Sequence, residues 1–365
     1  MNPKTIDLIA GARPNFMKIA PIIRAINQNK TYQHRIKYRL IHTGQHYDQN
    51  MSGNFFDQLG IPAPDFNLNV GSGTQASQTA GIMMGYEDIL MKQKSDLCVV
   101  VGDVTSTMAC AITAQKMLVP VAHVEGGIRS NDWTMPEEIN RMATDAVTNW
   151  FFTTSEYADE NLRRMGVVRE RIFFVGNTMI DTLLQNLDRL QKPDFWDSLG
   201  LNPKDYFVLT LHRPANVDQE LKLKKLMQTI IDGAKDKKII FPVHPRTAKI
   251  LNKLGISSKN LHMVEPMGYL EFNYLVQSCF AVITDSGGIT EEATVLDVPC
   301  MTLRDSTERP ETVTMGTNEL VGTDPNNLRP YLEKLFSGKW KTGQIPPLWD
   351  GKAAERIVKH ICTLL

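Results

Sequence analysis

Short runs of apolar and β-branched residues alternate along the chain with stretches whose apolar residues recur at helical spacing. Residues 5–10 form the first such run, and Ile19, Ile22, Ile23 and Ile26 follow at the spacing of one helix face. Leu97–Val101 is apolar throughout, which is typical of a strand covered on both faces. The alternation predicts an α/β protein built on parallel sheets with helices on both faces.

The strand-like runs fall into two series. Gly176 ends the first series, and a long helical stretch begins after it. We therefore predict two Rossmann-like doubly wound domains, residues 1–177 and 178–351, with ligands bound in a cleft between them. The predicted strands are residues 5–10, 38–42, 97–101, 120–124, 150–153 and 172–175, then 207–211, 238–243, 261–264, 280–284 and 299–303.

Length and charge agree with this interpretation and exclude other classes. A chain of 365 residues is long enough for two domains. Lys and Arg together number 40, as do Asp and Glu, so no overall charge draws the protein to nucleic acid or an anionic membrane. No signal segment or apolar run of membrane-spanning length is present, and five cysteines are scattered without metal-binding spacing. We expect a cytoplasmic protein with reduced cysteines.

The turn after residues 280–284 is the most informative segment. Ser286, Gly287 and Gly288 precede a helix predicted over residues 291–296, and two glycines let backbone N–H groups approach a ligand closely. The positive end of that helix would favour a diphosphate, and Glu292 could accept hydrogen bonds from ribose hydroxyls. The alternative is a plain strand-to-helix turn with Ser286 as its cap.

Charged residues also follow the strands of the first half. Arg13 lies at the turn after the first strand and could contact phosphate oxygens, with Lys18 one turn deeper, although Lys18 could equally be a solvated helix residue. Asp103 follows the strand Leu97–Val101, where it could be either a helix cap or a functional carboxylate.

The next strand end is denser in carboxylates. Glu125 precedes Gly126 and Gly127, an arrangement that packing explains poorly, and Glu137 follows Pro136 at a predicted helix start. Asp103, Glu125 and Glu137 together suit removal and return of a proton. Their spacing matches no metal-binding motif, so we predict no metal.

In the second half, His212 and Arg213 follow the strand at residues 207–211, and Arg309 could add a cation to the diphosphate site. His212 beside a cation is better explained by function than by burial. Ser286 lacks the surroundings of a nucleophilic serine.

Taken together, the motifs resemble those of the non-hydrolysing UDP-N-acetylglucosamine 2-epimerases. They include His-Val-Glu-Gly-Gly-Ile-Arg at 123–129 and Thr-Asp-Ser-Gly-Gly at 284–288, and they run in family order over nearly the whole chain. The full set is residues 13–14, 18–21, 43–46, 102–103, 123–129, 136–141, 176–178, 212–213, 242–244, 284–288, 291–293 and 308–311.

The resemblance implies the two-domain GT-B fold, a homodimer, and a C-terminal helix within residues 352–365 that packs back on the first domain. It also implies a reaction without NAD or metal. A carboxylate removes the sugar C2 proton while UDP leaves from C1, a 2-acetamidoglucal forms, and protonation of the other face with return of UDP gives the C2 epimer. The implied catalytic residues are Asp103, Glu125, Glu137 and His212. The implied UDP-sugar contacts are Arg13, Lys18, Met267, Phe272, Ser286, Gly287, Gly288, Glu292 and Arg309.

Some family members bind a second, activating UDP-sugar through residues equivalent to Gln45, His46, Arg213 and His244. This chain departs from the common pattern at 47–50, 130–135 and 213–216, next to the activator and sugar-side motifs. The open alternatives are therefore a modified substrate such as a UDP-diacetamido-uronic acid, a hydrolysing epimerase that releases N-acetylmannosamine, a GT-B glycosyltransferase, and a catalytically silent sensor of nucleotide sugars.

Overall fold

Two compact units make up the chain, the first from Met1–Gln185 with Pro347–Leu365 and the second from Asn186–Pro346. The structure is a computed structural model that describes residues 3–44, 56, 58–243 and 245–365, with the side chains of residues 13, 214, 215, 245 and 246 outside that description.

A parallel sheet of seven described strands forms the centre of the first unit, in the order β3-β2-β1-β4-β5-β6-β7. The strands are β1 (Lys4–Ala10), β2 (Ile36–His42), β3 (Phe66–Asn67), β4 (Leu97–Val101), β5 (Val121–Val124), β6 (Trp150–Thr153) and β7 (Ile172–Phe174). Its helices are α1 (Arg13–Gln28), α2 (Lys30–Arg35), α3 (Gln75–Lys92), α4 (Thr105–Lys116), α5 (Pro136–Val147), α6 (Glu156–Arg164) and α7 (Thr178–Asn186).

The second unit has a parallel sheet of six described strands in the order β10-β9-β8-β11-β12-β13. These are β8 (Tyr206–Thr210), β9 (Lys238–Pro242), β10 (Leu261–Val264), β11 (Ala281–Thr284), β12 (Cys300–Thr302) and β13 (Asn318–Leu320). The helices are α8 (Phe195–Ser198), α9 (Pro214–Val217), α10 (Glu220–Gly233), α11 (Pro245–Lys253), α12 (Tyr269–Ser278), α13 (Gly287–Val295), α14 (Pro310–Thr314) and α15 (Leu328–Phe336), and the final helix α16 (Ala353–Leu364) belongs to the first unit.

Both sheets are buried on both faces, which is why their strands are apolar at successive positions. All five residues of β4 are buried. In β8, Phe207 and Leu209 belong to one core cluster while Tyr206 and Val208 belong to another. Side chains alternate across a strand, so these are the two faces of one sheet.

The strand order reverses once in each sheet, at β1 and β4 in the first unit and at β8 and β11 in the second. Loops that leave the carboxyl ends of two such strands diverge and open a crevice, where ligands of doubly wound sheets bind. The segments after these strands carry Arg13, Asp103, His212 and Ser286.

The predicted strands are confirmed within one or two residues, but β3 and β13 were missed. In β3 only two residues pair, Ile41 with Phe66 and His42 with Asn67. The helix predicted over residues 291–296 begins earlier, so Gly287 and Gly288 belong to the first turn of α13.

The unit boundary lies beyond the one drawn from the sequence, because α7 is bound into the first unit. Thr182 Oγ1 donates a 2.5 Å hydrogen bond to the Met17 carbonyl in α1. Asp181 accepts from the backbone N–H groups of Ala353 and Ala354, at 3.1 and 2.7 Å, and so caps α16. Residues 178–185 and 347–351, assigned to the second domain from sequence, therefore belong to the first unit.

The cysteines and helices add two limits. Cys98, Cys110, Cys279, Cys300 and Cys362 are all buried and free. Among the described residues, no helix combines the length and apolar character needed to cross a bilayer.

Candidate active site

The turn between β1 and α1 is held tightly against the end of β4. Asn15 Oδ1 accepts from the N–H groups of Gly11 and Ala12, at 3.2 and 3.0 Å, while its Nδ2 donates to the Val101 carbonyl at 2.8 Å. A Cβ on Gly11 would lie 1.9 Å from Ser106 Oγ, so only glycine fits there. The start of α1, where Arg13 lies, is thus fixed to the segment that carries Asp103.

Lys18 and Glu125 form a buried ion pair at the strand ends. Lys18 Nζ lies 2.6 Å from Glu125 Oε2, and only 13% of the Lys18 side chain and 3% of the Glu125 side chain are exposed. Glu125 has φ +70°, a left-handed conformation that costs a non-glycine residue about 1 kcal/mol. Lys18 is therefore not a solvated helix residue, and the backbone strain orients Glu125 toward it.

Asp103 is bound by an arginine and does not cap α4. Arg141 in α5 donates to Asp103 Oδ2 from NH2 at 2.5 Å and from Nε at 3.0 Å. The described residue at the N-cap of α4 is Val104, which makes no side-chain cap hydrogen bond. Asp103 keeps 31% of its side chain exposed, so a ligand can reach it.

Glu137 lies one helical turn before Arg141 on α5, so both side chains are on the same face. It is half-buried, and among the described residues its carboxylate has no hydrogen-bond or ion-pair partner. A Cβ on Gly102 would lie 3.1 Å from Lys18 Nζ and 3.8 Å from Glu125 Oε2, which places the Gly102–Asp103 segment beside that ion pair. The structure thus brings Lys18, Asp103 and Glu125 together at one edge of the sheet.

A fully buried network lies beneath these carboxylates. His123 Nδ1 is 2.7 Å from Asp145 Oδ1, and Arg129 NH2 is 2.6 Å from Asp145 Oδ2. Burial raises the pKa of Asp145, but the hydrogen bond from His123 and the charges of His123 and Arg129 outweigh it and leave the pKa below its ordinary value.

Packing accounts for the two glycines after Glu125, contrary to the expectation from sequence. Gly127 has φ +82°, and a Cβ there would lie 2.4 Å from the Ala158 carbonyl oxygen. At Gly126 a Cβ would lie 2.9 Å from Phe151. Close approach of β6 and α6 therefore requires glycine at both positions.

The loop at residues 130–135 is fixed by Glu138. Its carboxylate accepts from Ser130 N and Oγ at 2.9 and 3.0 Å and from Asn131 N at 3.0 Å, and it pairs with Arg141 at 2.7 Å. Burial raises the pKa of Glu138, but these hydrogen bonds outweigh it and leave the pKa below its ordinary value. Trp133 in this loop is 66% exposed.

In the second unit, Asp285 organises the segment after β8. It is fully buried and accepts from the backbone N–H groups of His212 and Arg213, the latter at 2.9 Å, and from Asn216 at 3.2 Å. His212 Nδ1 lies 2.8 Å from Asp285 Oδ1 with 61% of the His212 side chain exposed. Burial raises the pKa of Asp285, but the hydrogen bond and charge of His212 outweigh it and lower the pKa overall. The imidazole is therefore oriented from behind and open to a ligand in front.

The glycine turn begins α13 without a side-chain cap. Ser286 is the N-cap residue, and within the described residues its side chain makes no capping hydrogen bond. A Cβ on Gly287 would lie 3.7 Å from both Arg304 NH1 and Glu308 Oε2, which is ordinary contact distance. Packing therefore does not demand glycine at 287, and the capping explanation for Ser286 is wrong.

Two arginines near this turn are already paired with carboxylates. Arg304 and Glu308 form two parallel hydrogen bonds of 2.7 Å. Arg309 Nε donates to Glu291 Oε1, and both side chains are buried. Arg309, expected to bind phosphate directly, thus enters the site with its charge shared with Glu291.

Glu292 is buried in α13 among polar groups of α12. Asn273 Nδ2 donates to Glu292 Oε1 at 3.4 Å. Burial raises the pKa of Glu292 to about 7, although hydrogen bonds from Tyr269 and Asn273 oppose that rise. Met267 and Phe272 are partly buried against the same core cluster, so the residues implied for ribose and uracil lie in neighbouring segments.

Several site predictions lie outside the described residues, namely Gln45, His46, His244 and the side chain of Arg13. The fourth residue of the expected activator site, Arg213, is described, and its Nε donates to the Asp285 carbonyl oxygen at 3.0 Å.

Sequence reasoning missed the partners that orient the site: Arg141, Asp145, Asp285 and Glu291. Asp285 lies directly beside Ser286 at a strand end, where its position could have indicated a role. The others lie within helices, and no local pattern distinguishes them from surface charges. Among the described residues, no three His, Cys, Asp or Glu side chains are grouped to hold a metal ion.

Two parallel open sheets with interleaved helices define an α/β protein of the two-domain, GT-B-like class. A family model described as UDP-N-acetylglucosamine 2-epimerase matches residues 28–362. The chain therefore belongs to the UDP-N-acetylglucosamine 2-epimerase family of enzymes.

Individual relatives agree with this assignment. A UDP-N-acetylglucosamine 2-epimerase of Methanocaldococcus jannaschii is 44% identical, over 97% of this chain and 98% of that protein. A crystal structure of the M. jannaschii enzyme in complex with UDP-GlcNAc and UDP superposes with a TM-score of 0.88 at 43% identity, over 98% of this chain and 99% of that one. A UDP-2,3-diacetamido-2,3-dideoxy-D-glucuronate 2-epimerase of Pseudomonas aeruginosa is 38% identical, over 98% of this chain and 99% of that protein.

Proposed function

We propose that this enzyme interconverts UDP-N-acetylglucosamine and UDP-N-acetylmannosamine by inversion at the sugar C2. The observation that carries the proposal is the similarity to the M. jannaschii enzyme that binds UDP-GlcNAc and UDP, which extends over 98% of this chain. The arrangement of carboxylates in the first unit and of the glycine turn in the second supports the same reaction.

The reaction we propose is an elimination followed by re-addition. A carboxylate removes the C2 proton, the C2–H electrons form a double bond between C1 and C2, and the electrons of the C1–O bond leave with UDP. A proton is then delivered to the opposite face of C2, and UDP adds back at C1. Asp103, Glu125 and Glu137 are the carboxylates that we assign to these proton transfers.

Their surroundings suit this chemistry. Lys18 balances the charge of Glu125, and Arg141 holds Asp103, so both carboxylates are kept in place. Glu137 has no partner among the described residues and keeps part of its surface open. A site that works in both directions needs a proton acceptor on one face of the sugar and a donor on the other.

We assign UDP to the second unit. The N–H groups of Gly287 and Gly288 begin α13, where the helix dipole favours the diphosphate. His212, oriented by Asp285, would donate to the departing diphosphate, and Ser286, Arg13 and Arg309 would add polar contacts. Glu292 would accept from the ribose hydroxyls, with Met267 and Phe272 beside the uracil.

A second candidate substrate is a UDP-diacetamido-uronic acid. The observation in its favour is the 38% identical P. aeruginosa protein named as an epimerase of such a sugar, which matches 98% of this chain. Both reactions use the same elimination, so the substituents at C3 and C6 of the sugar distinguish them.

Proton NMR of UDP-N-acetylglucosamine with the enzyme in D2O tests the proposal. We expect loss of the C2 proton signal and growth of an anomeric signal from UDP-N-acetylmannosamine. Release of free N-acetylmannosamine would identify a hydrolysing enzyme. Absence of C2 exchange, with exchange in a UDP-diacetamido-uronic acid run in parallel, would show that the modified sugar is the substrate.

We also propose that the enzyme acts in the cytoplasm as a homodimer, as the family resemblance implies. Light scattering of the purified chain should give a mass near twice 41.1 kDa. A monomer with full activity would overturn the dimer.

A further inference from the structure

Three successive backbone carbonyls at the end of β4 are each held by a side chain from a different element. Val101 O accepts from Asn15 Nδ2 and Thr107 Oγ1, both at 2.8 Å. Gly102 O lies 2.8 Å from His123 Nε2, and Asp103 O accepts from Asn140 Nδ2 at 2.9 Å. The strand has ended here, so side chains replace the ladder partners that these carbonyls would otherwise need.

The middle of these three contacts fixes the peptide that joins Gly102 to Asp103. Gly102 has φ +68°, and its N–H donates to the Val124 carbonyl at 3.0 Å. With its N–H and its carbonyl both held by β5, the orientation of this peptide is determined. The Asp103 side chain, which begins at the next α-carbon, follows from it.

His123 is suited to this contact by its second nitrogen. A carbonyl oxygen can only accept, so Nε2 must carry a proton. Nδ1 faces Asp145, whose carboxylate also accepts from Arg129 at 2.6 Å and from Gly127 N at 3.1 Å. Three donors around one carboxylate hold it in the ionised form, and an ionised carboxylate can only accept. Both ring nitrogens of His123 therefore donate.

The ring is also shielded from exchange with solvent. The His123 side chain is 1% exposed and that of Asp145 is fully buried. The cation is thus held in place by Asp145 on one side and directed at a backbone carbonyl on the other. No step of the proposed reaction uses His123 as a proton donor or acceptor.

We propose that His123 is a positioning residue, a doubly protonated imidazole that holds the Gly102–Asp103 peptide and thereby sets where the Asp103 carboxylate lies. The inference rests on the proposed function, because Asp103 matters only if it takes part in proton transfer at C2. It assigns a role to the Arg129–Asp145–His123 series that packing alone does not require.

Two amide substitutions separate the two nitrogens. A glutamine amide nitrogen reaches the position of histidine Nε2, whereas an asparagine amide nitrogen reaches that of Nδ1. His123→Gln therefore keeps the donor to Gly102 O and loses the one to Asp145, and His123→Asn does the reverse. Both variants lose one buried hydrogen bond, so a merely structural role predicts similar activities for the two.

We expect C2 exchange by His123→Asn to fall about 100-fold in kcat, as misplacement of a catalytic group by roughly 1 Å produces, with KM and UDP affinity unchanged. His123→Gln should recover to within about tenfold of the wild type. The same pair of changes at His34, an exposed residue of α2, serves as the control and should leave exchange unchanged. Equal activities in the two His123 variants, or a loss confined to KM, would overturn the proposal.

Nitrogen-15 NMR of the wild-type imidazole decides the protonation state without reference to activity. Signals from protons on both Nδ1 and Nε2 of His123 are expected, and a lone pair on Nε2 would reject the proposal even if neither variant folds. Lack of C2 exchange in the wild type would count against the proposed function, and the NMR result would still stand for or against the hydrogen bond to Gly102.

Discussion

Lys18 Nζ and Glu125 Oε2 lie 2.6 Å apart, although 107 positions separate the two residues in the chain. The pair joins the first turn and a half of α1 to the end of β5. Because both side chains are buried, each is the main compensation for the other's charge.

Replacement of Lys18 by methionine should therefore destabilise the first unit by about 3 kcal/mol, because it leaves the Glu125 carboxylate buried without its cation. The midpoint of urea unfolding measures this. The double variant Lys18→Met with Glu125→Gln is the control and should recover most of the loss. A midpoint for the single variant equal to that of the wild type would show that Glu125 does not depend on Lys18.

Conversion of Asp103 to Asn, or of Glu125 or Glu137 to Gln, should lower the rate of C2 exchange at least about 100-fold, the contribution typical of a proton-transferring group. UDP affinity, measured by calorimetry, should change little because UDP is assigned to the second unit. Glu138→Gln, which removes a carboxylate from the adjacent position, separates loop anchoring from proton transfer. Loss of UDP binding in all three variants would remove these carboxylates from the sugar.

Gly287→Ala should leave the free energy of unfolding within about 1 kcal/mol of the wild type, since alanine favours a helix and the added Cβ meets neighbours at 3.7 Å. UDP affinity should still fall about tenfold, because the methyl group keeps the phosphates from the backbone. Gly127→Ala is the matched opposite and should lose stability, since its Cβ would lie 2.4 Å from Ala158 O. Wild-type UDP affinity in Gly287→Ala would contradict the diphosphate assignment.

The pKa of Glu292, raised by burial to about 7, predicts a pH dependence of nucleotide affinity. Only the carboxylate accepts from both ribose hydroxyls, so affinity for UDP should rise about tenfold between pH 6 and pH 8 relative to Glu292→Gln. The ratio to the variant removes the titration of UDP itself. In the free protein the sign is opposite: the raised pKa contributes stability that is lost as pH rises through about 7. A constant ratio of affinities would move the ribose away from Glu292.

Asp181 predicts a pH dependence of stability in the first unit. Burial raises its pKa from 3.8 to about 6, against the hydrogen bonds from Ala354 and Ala353. Its contribution to stability is therefore complete below pH 3.8 and is lost as pH rises through about 6. Relative to Asp181→Asn, the wild type should lose up to about 3 kcal/mol between pH 4 and pH 7, measured by thermal unfolding. Parallel curves for the two proteins would contradict this.

The strands were predictable because most are buried on both faces, as Leu97–Val101 shows. β13 was not, because its first residues are polar and their burial depends on distant partners. Asn318 Oδ1 accepts from Thr302 Oγ1 at 2.6 Å, and its Nδ2 donates to Thr312 at 3.1 Å. No pattern within residues 318–320 contains that information.

The site follows the same division. Strand ends could be found from the apolar runs before them, and so could the positions of Asp103, Glu125 and His212. The groups that hold these side chains could not be found, since Arg141 and Asp285 lie 38 and 73 positions away from Asp103 and His212. Pairings of that kind depend on how the helices return to the sheet, which local sequence does not encode.

The discontinuous make-up of the first unit has a consequence during protein synthesis. Its last helix, α16, lies among residues 347–365, after all of the second unit. The second unit can therefore complete its fold on the ribosome while Asp181 still awaits Ala353 and Ala354, although residues 1–185 leave the ribosome first. The carboxylates of the first unit reach their final stability only when the last helix docks, so a chain stalled before residue 347 would carry a finished second unit and an unfinished first one.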